Sequence, residues 1–97
     1  VMAVKIFIKR TFNKDGLKDA SAMLIQARKN AMSKKGYIST ETLVNHDDPC
    51  KIVVVSMWQK KEDWDAYATS AERQANEQNF SALLATETTY EIYNMGM

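Results

Sequence analysis

The run Ile52-Val53-Val54-Val55-Ser56-Met57-Trp58 constrains this chain more than any other segment. It is too short and too β-branched for a helix and is apolar at both alternating phases, so it reads as a strand buried on both faces. Ninety-seven residues hold too few segments to cover both faces of a sheet with the chain's own helices. One face is expected to lie under helices and the other to meet a second copy of the chain, since an uncovered β-branched face is an aggregation hazard. The expectation is a two-layer α+β domain forming a homodimer through the free face of its sheet.

The segments around this strand supply the rest of the plan. Val4 to Lys9 alternates with period two, placing Val4, Ile6 and Ile8 on one face and Phe7 between two lysines on the other. Asn13-Lys14-Asp15-Gly16 offers a turn and an N-cap. Leu17, Ala20, Leu24, Ala27 and Ala31 then recur at helical spacing, with Ile25 and Met32 widening the stripe. This first helix is expected to run to Lys35, with Gly36 as its C′ residue. Tyr37 to Val44 carries Ile38, Thr40, Thr42 and Val44 and ends in Asn45-His46-Asp47-Asp48-Pro49, so the second and third strands form a hairpin. Lys60 to Asn79 sets Trp64, Tyr67, Ala68, Ala71 and Ala75 along one helical stripe, and Glu62 and Asp63 suit its first turn. A restart is available at Thr69, where Thr69 and Glu72 match a capping box. Phe80, Leu83 and Leu84 form a last turn before Thr88 to Tyr93, the fourth strand. The order β-α-β-β-α-β over residues 2–97 is a single ferredoxin-like domain: one four-stranded antiparallel sheet with both helices on one face.

Composition removes several classes of function. Thirteen basic and twelve acidic side chains leave a net charge of +1, too little to steer nucleic acid or an acidic membrane. The RNA-recognition fold shares this element order, but its third strand presents aromatic residues for base stacking where this chain has Val53 and Val55. No apolar run approaches the ~20 residues of a membrane span, and Val1-Met2-Ala3 leads straight into a strand instead of a signal peptide. Cys50, the single cysteine, forms neither an internal disulfide nor a CxxC site, which fits a reducing, cytoplasmic setting. His46 beside Asp47 and Asp48 lies in a solvated turn and is a poor metal site. There is no phosphate-binding or dinucleotide motif, so neither metal nor cofactor is expected.

The candidate site residues each carry a structural reading beside the functional one. Arg28 falls near the middle of the apolar stripe of the first helix, where a cation must be paired or reach for water. Glu41, in the middle of the second strand, is the expected partner; a structural Arg28–Glu41 ion pair outweighs a substrate-binding arginine. Trp58, Trp64 and Tyr67 bring amphipathic rings to the exit of the third strand and the second helix, where they either pack as core or line a pocket for a flat aromatic molecule. Ser56 interrupts the apolar strand and belongs either to a local hydrogen bond or to a pocket floor. No nucleophile or paired acid and base emerges from spacing alone, so the catalytic residues stay unassigned.

Gly36-Tyr37-Ile38-Ser39-Thr40-Glu41-Thr42-Leu43, Val53-Val54-Val55-Ser56-Met57-Trp58, Glu62-Asp63-Trp64 and Ser70-Ala71-Glu72-Arg73 together resemble the antibiotic biosynthesis monooxygenase domain of the dimeric α+β barrel superfamily. The likeness runs from Val4 to Tyr93. It implies a homodimer whose sheets pack into a barrel, with a cleft in each subunit between sheet and helices. It also implies cofactor-independent oxygenation of small phenolic or quinol-like substrates, or a non-catalytic ligand-binding or accessory role on the same fold. The haem-degrading branch carries an asparagine, a tryptophan and a histidine where this chain has Lys9, Tyr67 and Glu77, which argues against haem degradation. Many quinol-type members carry a histidine after the helix-two serine, where this chain has Arg73. On the oxygenase reading, the residues already singled out, Arg28, Ser56, Trp58, Trp64 and Tyr67, are the candidate substrate pocket.

Overall fold

Period-two alternation in the first strand organises the molecule, because this strand occupies an interior position of the sheet and its two faces define the two sides of the domain. The computed structural model describes residues 2–96; Met97, the last residue of the expected domain, lies outside the described residues. The elements are β1 (Val4–Thr11), α1 (Leu17–Met32), β2 (Tyr37–Val44), β3 (Lys51–Trp58), α2 (Lys61–Ala68), α3 (Ala71–Asn79) and β4 (Thr89–Asn94), with single 3-10 turns at Lys14–Gly16 and Ser81–Leu83. The sheet has the order β2-β3-β1-β4 and all its pairings are antiparallel. This is the α+β ferredoxin-like arrangement.

Register decides which residues share a face. Val4 opposes Trp58, Ile6 opposes Ser56, Ile8 opposes Val54 and Arg10 opposes Ile52 on β3, while Ile8 opposes Tyr90 on β4. Directly opposed residues project to the same side. Val4, Ile6, Ile8, Val54 and Trp58 therefore meet Ala31, Trp64 and Tyr67 from the helices in one buried cluster. Phe12 and Ile52 meet Ala20 and Met23 in a second. Full burial of side chains such as Ile6 and Met23 stabilises the fold by about 1.5–3 kcal/mol each. The other phase, with Phe7, Lys9, Glu41, Leu43, Val53, Val55 and Tyr93, faces away from the helices.

The helices differ from the sequence expectation in where they end and in what they bury. The first helix ends at Met32, not Lys35, and Ser33 Oγ donates to the carbonyl of Asn30 as the chain turns away. Ile25 and Met32 do not widen a buried stripe; both are exposed. The second helical segment is two helices, and the cap at the break is Ser70, whose hydroxyl accepts from the Arg73 amide. Thr69 instead donates its hydroxyl to the Asp65 carbonyl of the preceding helix. This break resets the helical phase, so Ala71 and Ala75 face solvent and α3 turns Arg73 and Asn76 inward.

Gly36 is held at φ 83°, in the left-handed region, where the chain enters β2. A Cβ at this position would lie 2.0 Å from Oδ2 of Asp63, in the first turn of α2. Gly36→Ala therefore combines a left-handed penalty of about 1–2 kcal/mol with displacement of a buried carboxylate. The expected outcome is a loss of at least that size in a urea melt; an unchanged midpoint would show that the loop relaxes freely.

Candidate functional site

Extending the β1 alternation past Ile8 puts Arg10 on the helix side, between Ile8 and Phe12. Its side chain is 2% exposed. One Nη donates to Oε2 of Glu77 at 2.9 Å, from α3 above the sheet. Arg73, one turn before Glu77, comes within 3.8 Å of the other carboxylate oxygen. Arg73 also donates to the Tyr90 hydroxyl at 2.7 Å and lies over the rings of Trp64 and Tyr90, 5.5 Å and 5.4 Å from their centroids. Two guanidinium groups thus share one carboxylate in a largely dry setting, and the cluster has a net positive charge. Arg10 Nε is buried and bonded to no protein acceptor, which leaves its N–H for a water or a ligand atom in the adjoining space.

This cluster borders a cavity of about 20 Å³ between the sheet and α1. Such a space is enough for about one water molecule. Tyr67 closes it from α2 and donates its hydroxyl to the Ala27 carbonyl at 3.1 Å. Burial pushes the Tyr67 phenol above its ordinary pKa, with the nearby Arg73 charge acting in the opposite direction. Tyr67 stacks on Trp58 at 5.2 Å, and the Trp58 indole N–H donates to Ser56 Oγ at 2.8 Å. Trp64 meets both rings edge-on. The aromatic wall is therefore closely packed, and the polar tips of Trp58 and Tyr67 are both satisfied.

Arg28, Ser56 and Tyr67 border the cavity, whereas Trp58 and Trp64 stand behind it as core. The expected Arg28–Glu41 ion pair does not form. Glu41 opposes Val55 and points to the helix-free face, while Arg28 is exposed on α1 and donates to the Thr40 carbonyl at 3.3 Å. Lys9 is likewise on the helix-free face, where it pairs with Glu91, so the cleft position at the end of β1 belongs to Arg10. Sequence reading missed Arg10 although the signal was present: it follows Val4, Ile6 and Ile8 at the same phase. No group of three metal-ligating side chains occurs among the described residues. Among the described residues, no helix is long and apolar enough to cross a membrane.

No protein-family model matches the sequence, and no curated protein matches it either. Solved structures do. SnoaB, a cofactor-independent oxygenase from Streptomyces nogalater, superposes with a TM-score of 0.88 at 9% identity, over 100% of this chain and 96% of its own. A conserved protein from Methanosarcina mazei gives 0.87 at 15% identity over 95% and 91%. A structure described as an antibiotic biosynthesis monooxygenase gives 0.86 at 10% identity over 97% and 99%. The chain has the fold of the antibiotic biosynthesis monooxygenases. Identities this low speak to fold alone, and the chemistry must be argued from the residues in the cleft.

The raised Tyr67 pKa carries a stability consequence. Below about pH 10 both folded and unfolded chains keep this proton, so Tyr67 adds no pH slope. Above that the unfolded chain ionises first, and the folded state loses ground as pH rises toward the folded pKa. Tyr67→Phe is expected to shrink the fall in urea midpoint between about pH 8 and about pH 11, after a loss of about 1 kcal/mol at neutral pH for the missing hydrogen bond. An equal alkaline fall in both proteins would place the phenol in water.

Proposed function

We propose that this chain is a cofactor-independent monooxygenase acting on a small phenolic or quinol-like molecule bound as its anion in the helix–sheet cleft. The observation that carries the reading is the cation excess there: Arg10 and Arg73 share Glu77, and Arg10 Nε has no acceptor. A phenolate oxygen supplies such an acceptor, and two guanidinium groups in a largely buried site favour the ionised form. That anion is the electron-rich species able to pass electrons to oxygen. Where the ring's keto form carries a methylene carbon, one oxygen atom replaces its two hydrogens and the other leaves with them as water. The substrate then supplies all four electrons and no external reductant is consumed. Tyr67, kept as a neutral phenol by burial, is the proton-bearing hydroxyl at the cavity wall. The shared fold with an oxygenase named as cofactor-independent supports the same reading.

A non-catalytic ligand-binding role is the second reading. It is favoured by the state of Glu77, the one carboxylate bordering the cavity among the described residues, which is engaged by both arginines and so is not a free base. Oxygen uptake separates the two. Hydroquinones and anthrone-like phenols are expected to drive uptake, and Arg10→Gln to lower kcat/KM by roughly tenfold or more and to move the pH profile upward as the phenol's ionisation is no longer assisted. Tight binding without uptake selects the second reading.

Two copies are further proposed to associate through the helix-free face, where Phe7, Val53 and Val55 form an apolar centre beside half-exposed Leu43 and Tyr93. Light scattering at micromolar concentration is expected to give twice the chain mass, and Val53→Lys to give the single mass; a parent protein that stays monomeric overturns this.

A further inference from the structure

Helix α1 is held very differently on its two flanks. Toward the other helices it is stitched by three hydrogen bonds to backbone carbonyls: Tyr67 to Ala27 at 3.1 Å, Asn76 to Met23 at 3.1 Å and Asn30 to Glu72 at 3.4 Å. Just past the end of α1, the Lys34–Glu72 ion pair at 3.0 Å adds a further tie on the same flank. Toward β2, among the described residues, one hydrogen bond crosses the seam: the exposed Arg28 guanidinium to the Thr40 carbonyl at 3.3 Å. β2 is also an edge strand, bonded to β3 alone, so widening the seam breaks no inter-strand hydrogen bond on its outer side.

Outside this seam lies a groove of about 460 Å³ on α1 and β2. Leu24, Arg28 and Thr42 border both this groove and the 20 Å³ inner cavity, so Arg28 stands in the partition between them. The floor of the groove includes Ile25 and Met32, which are 59% and 60% exposed. Arg28 and Lys29 place positive charge at its rim. The groove is thus apolar along α1 at Ile25 and Met32, and the cavity inside it is cationic, with Arg10 paired to Glu77 through one Nη and its Nε bonded to no protein acceptor.

We infer that the cleft opens along the α1–β2 seam with Arg28 as its latch, and that Leu24, Ile25 and Met32 form a subsite for the apolar tail of an aromatic anion whose head reaches Arg10. This rests on the anion reading proposed above and adds to it the shape of the ligand and its route. Rotation of an exposed arginine side chain is fast, on the order of nanoseconds, and gives up one long hydrogen bond; Leu24, packed against both core clusters, shifts as the seam widens. An inner cavity the size of one water is then the latched state of a larger site, with the groove already formed outside it.

The test compares benzoate with 4-pentylbenzoate in anaerobic buffer, by calorimetry and by amide shifts in the full chain. The tailed anion is expected to bind roughly tenfold tighter or more. Its shifts should extend from Val54 and Ser56 to Ile25 and Met32. The double variant Ile25→Gln, Met32→Gln should draw the two affinities together, and Arg28→Lys, which keeps the rim charge but shortens the reach to the Thr40 carbonyl, should raise the association rate several-fold with an unchanged melting temperature. Equal affinities, shifts confined to the helix-free face, an unchanged association rate in Arg28→Lys, or a second copy of the chain seated on the groove would overturn the subsite or its latch. Failure of benzoate to bind at all removes the anion site itself. Absence of oxygen uptake with quinols leaves these binding results standing.

Discussion

Arg10 projects from an interior strand of the sheet with its side chain almost free of water, and the rest of the cleft is arranged around how that charge is compensated. A lone cation so placed costs several kcal/mol unless it is paired. Glu77 supplies the pair, which requires α3 to lie over β1 at a particular height and rotation. Arg73 then enters with Glu77 because it is one turn earlier on the same helix, and it is accommodated by stacking on Trp64 and Tyr90 instead of by a carboxylate of its own. The outcome is a core that is apolar near Val4 and Trp58 and charged near Arg10, within a single continuous sheet.

That gradient separates support from chemistry. Trp58 is fully buried, stacks on Tyr67 and is satisfied by Ser56, so it holds Tyr67 in place without facing the cavity. Tyr67 in turn bridges to the α1 backbone, tying the aromatic wall to the helix that covers the cleft. A ligand beside Arg10 would therefore meet one wall tied to α1 by several hydrogen bonds, from α2 and α3, and another, α1 against β2, crossed by one side-chain hydrogen bond among the described residues. Pre-organisation on one side and freedom on the other is what a site needs when charge must be stabilised without solvent and the ligand must still enter.

The break between α2 and α3 links these two features. Had the helix continued through Thr69 and Ser70, the phase of Trp64 and Tyr67 would have carried Ala71 and Ala75 inward and left Arg73 and Glu77 pointing elsewhere. Capping by Ser70 restarts the helix at a new rotation, and the polar face becomes the buried one. Asn76 is part of the same face, and its amide bond to the Met23 carbonyl is one of the ties that fix α1 on its closed flank.

Sequence by itself determined the element order, the antiparallel sheet and the two-phase burial of β3, because periods of 2 and 3.6 residues are local properties of the chain. It also held the position of Arg10, since alternation along β1 needs no knowledge of any other element. It could not decide the partner of Arg28: the face that Glu41 takes depends on the pairing of β2 with β3 and on the bulge near Tyr37, both of which are tertiary. Nor could it bring Glu77 to Arg10 across 67 residues, because that contact depends on the rotation of a short restarted helix and on its placement over the sheet. The scaffold was legible and the charge cluster was not, for the physical reason that local periodicity sets which side of an element is apolar, while the meeting of two charged side chains is set only when separate elements are packed at a defined height and angle.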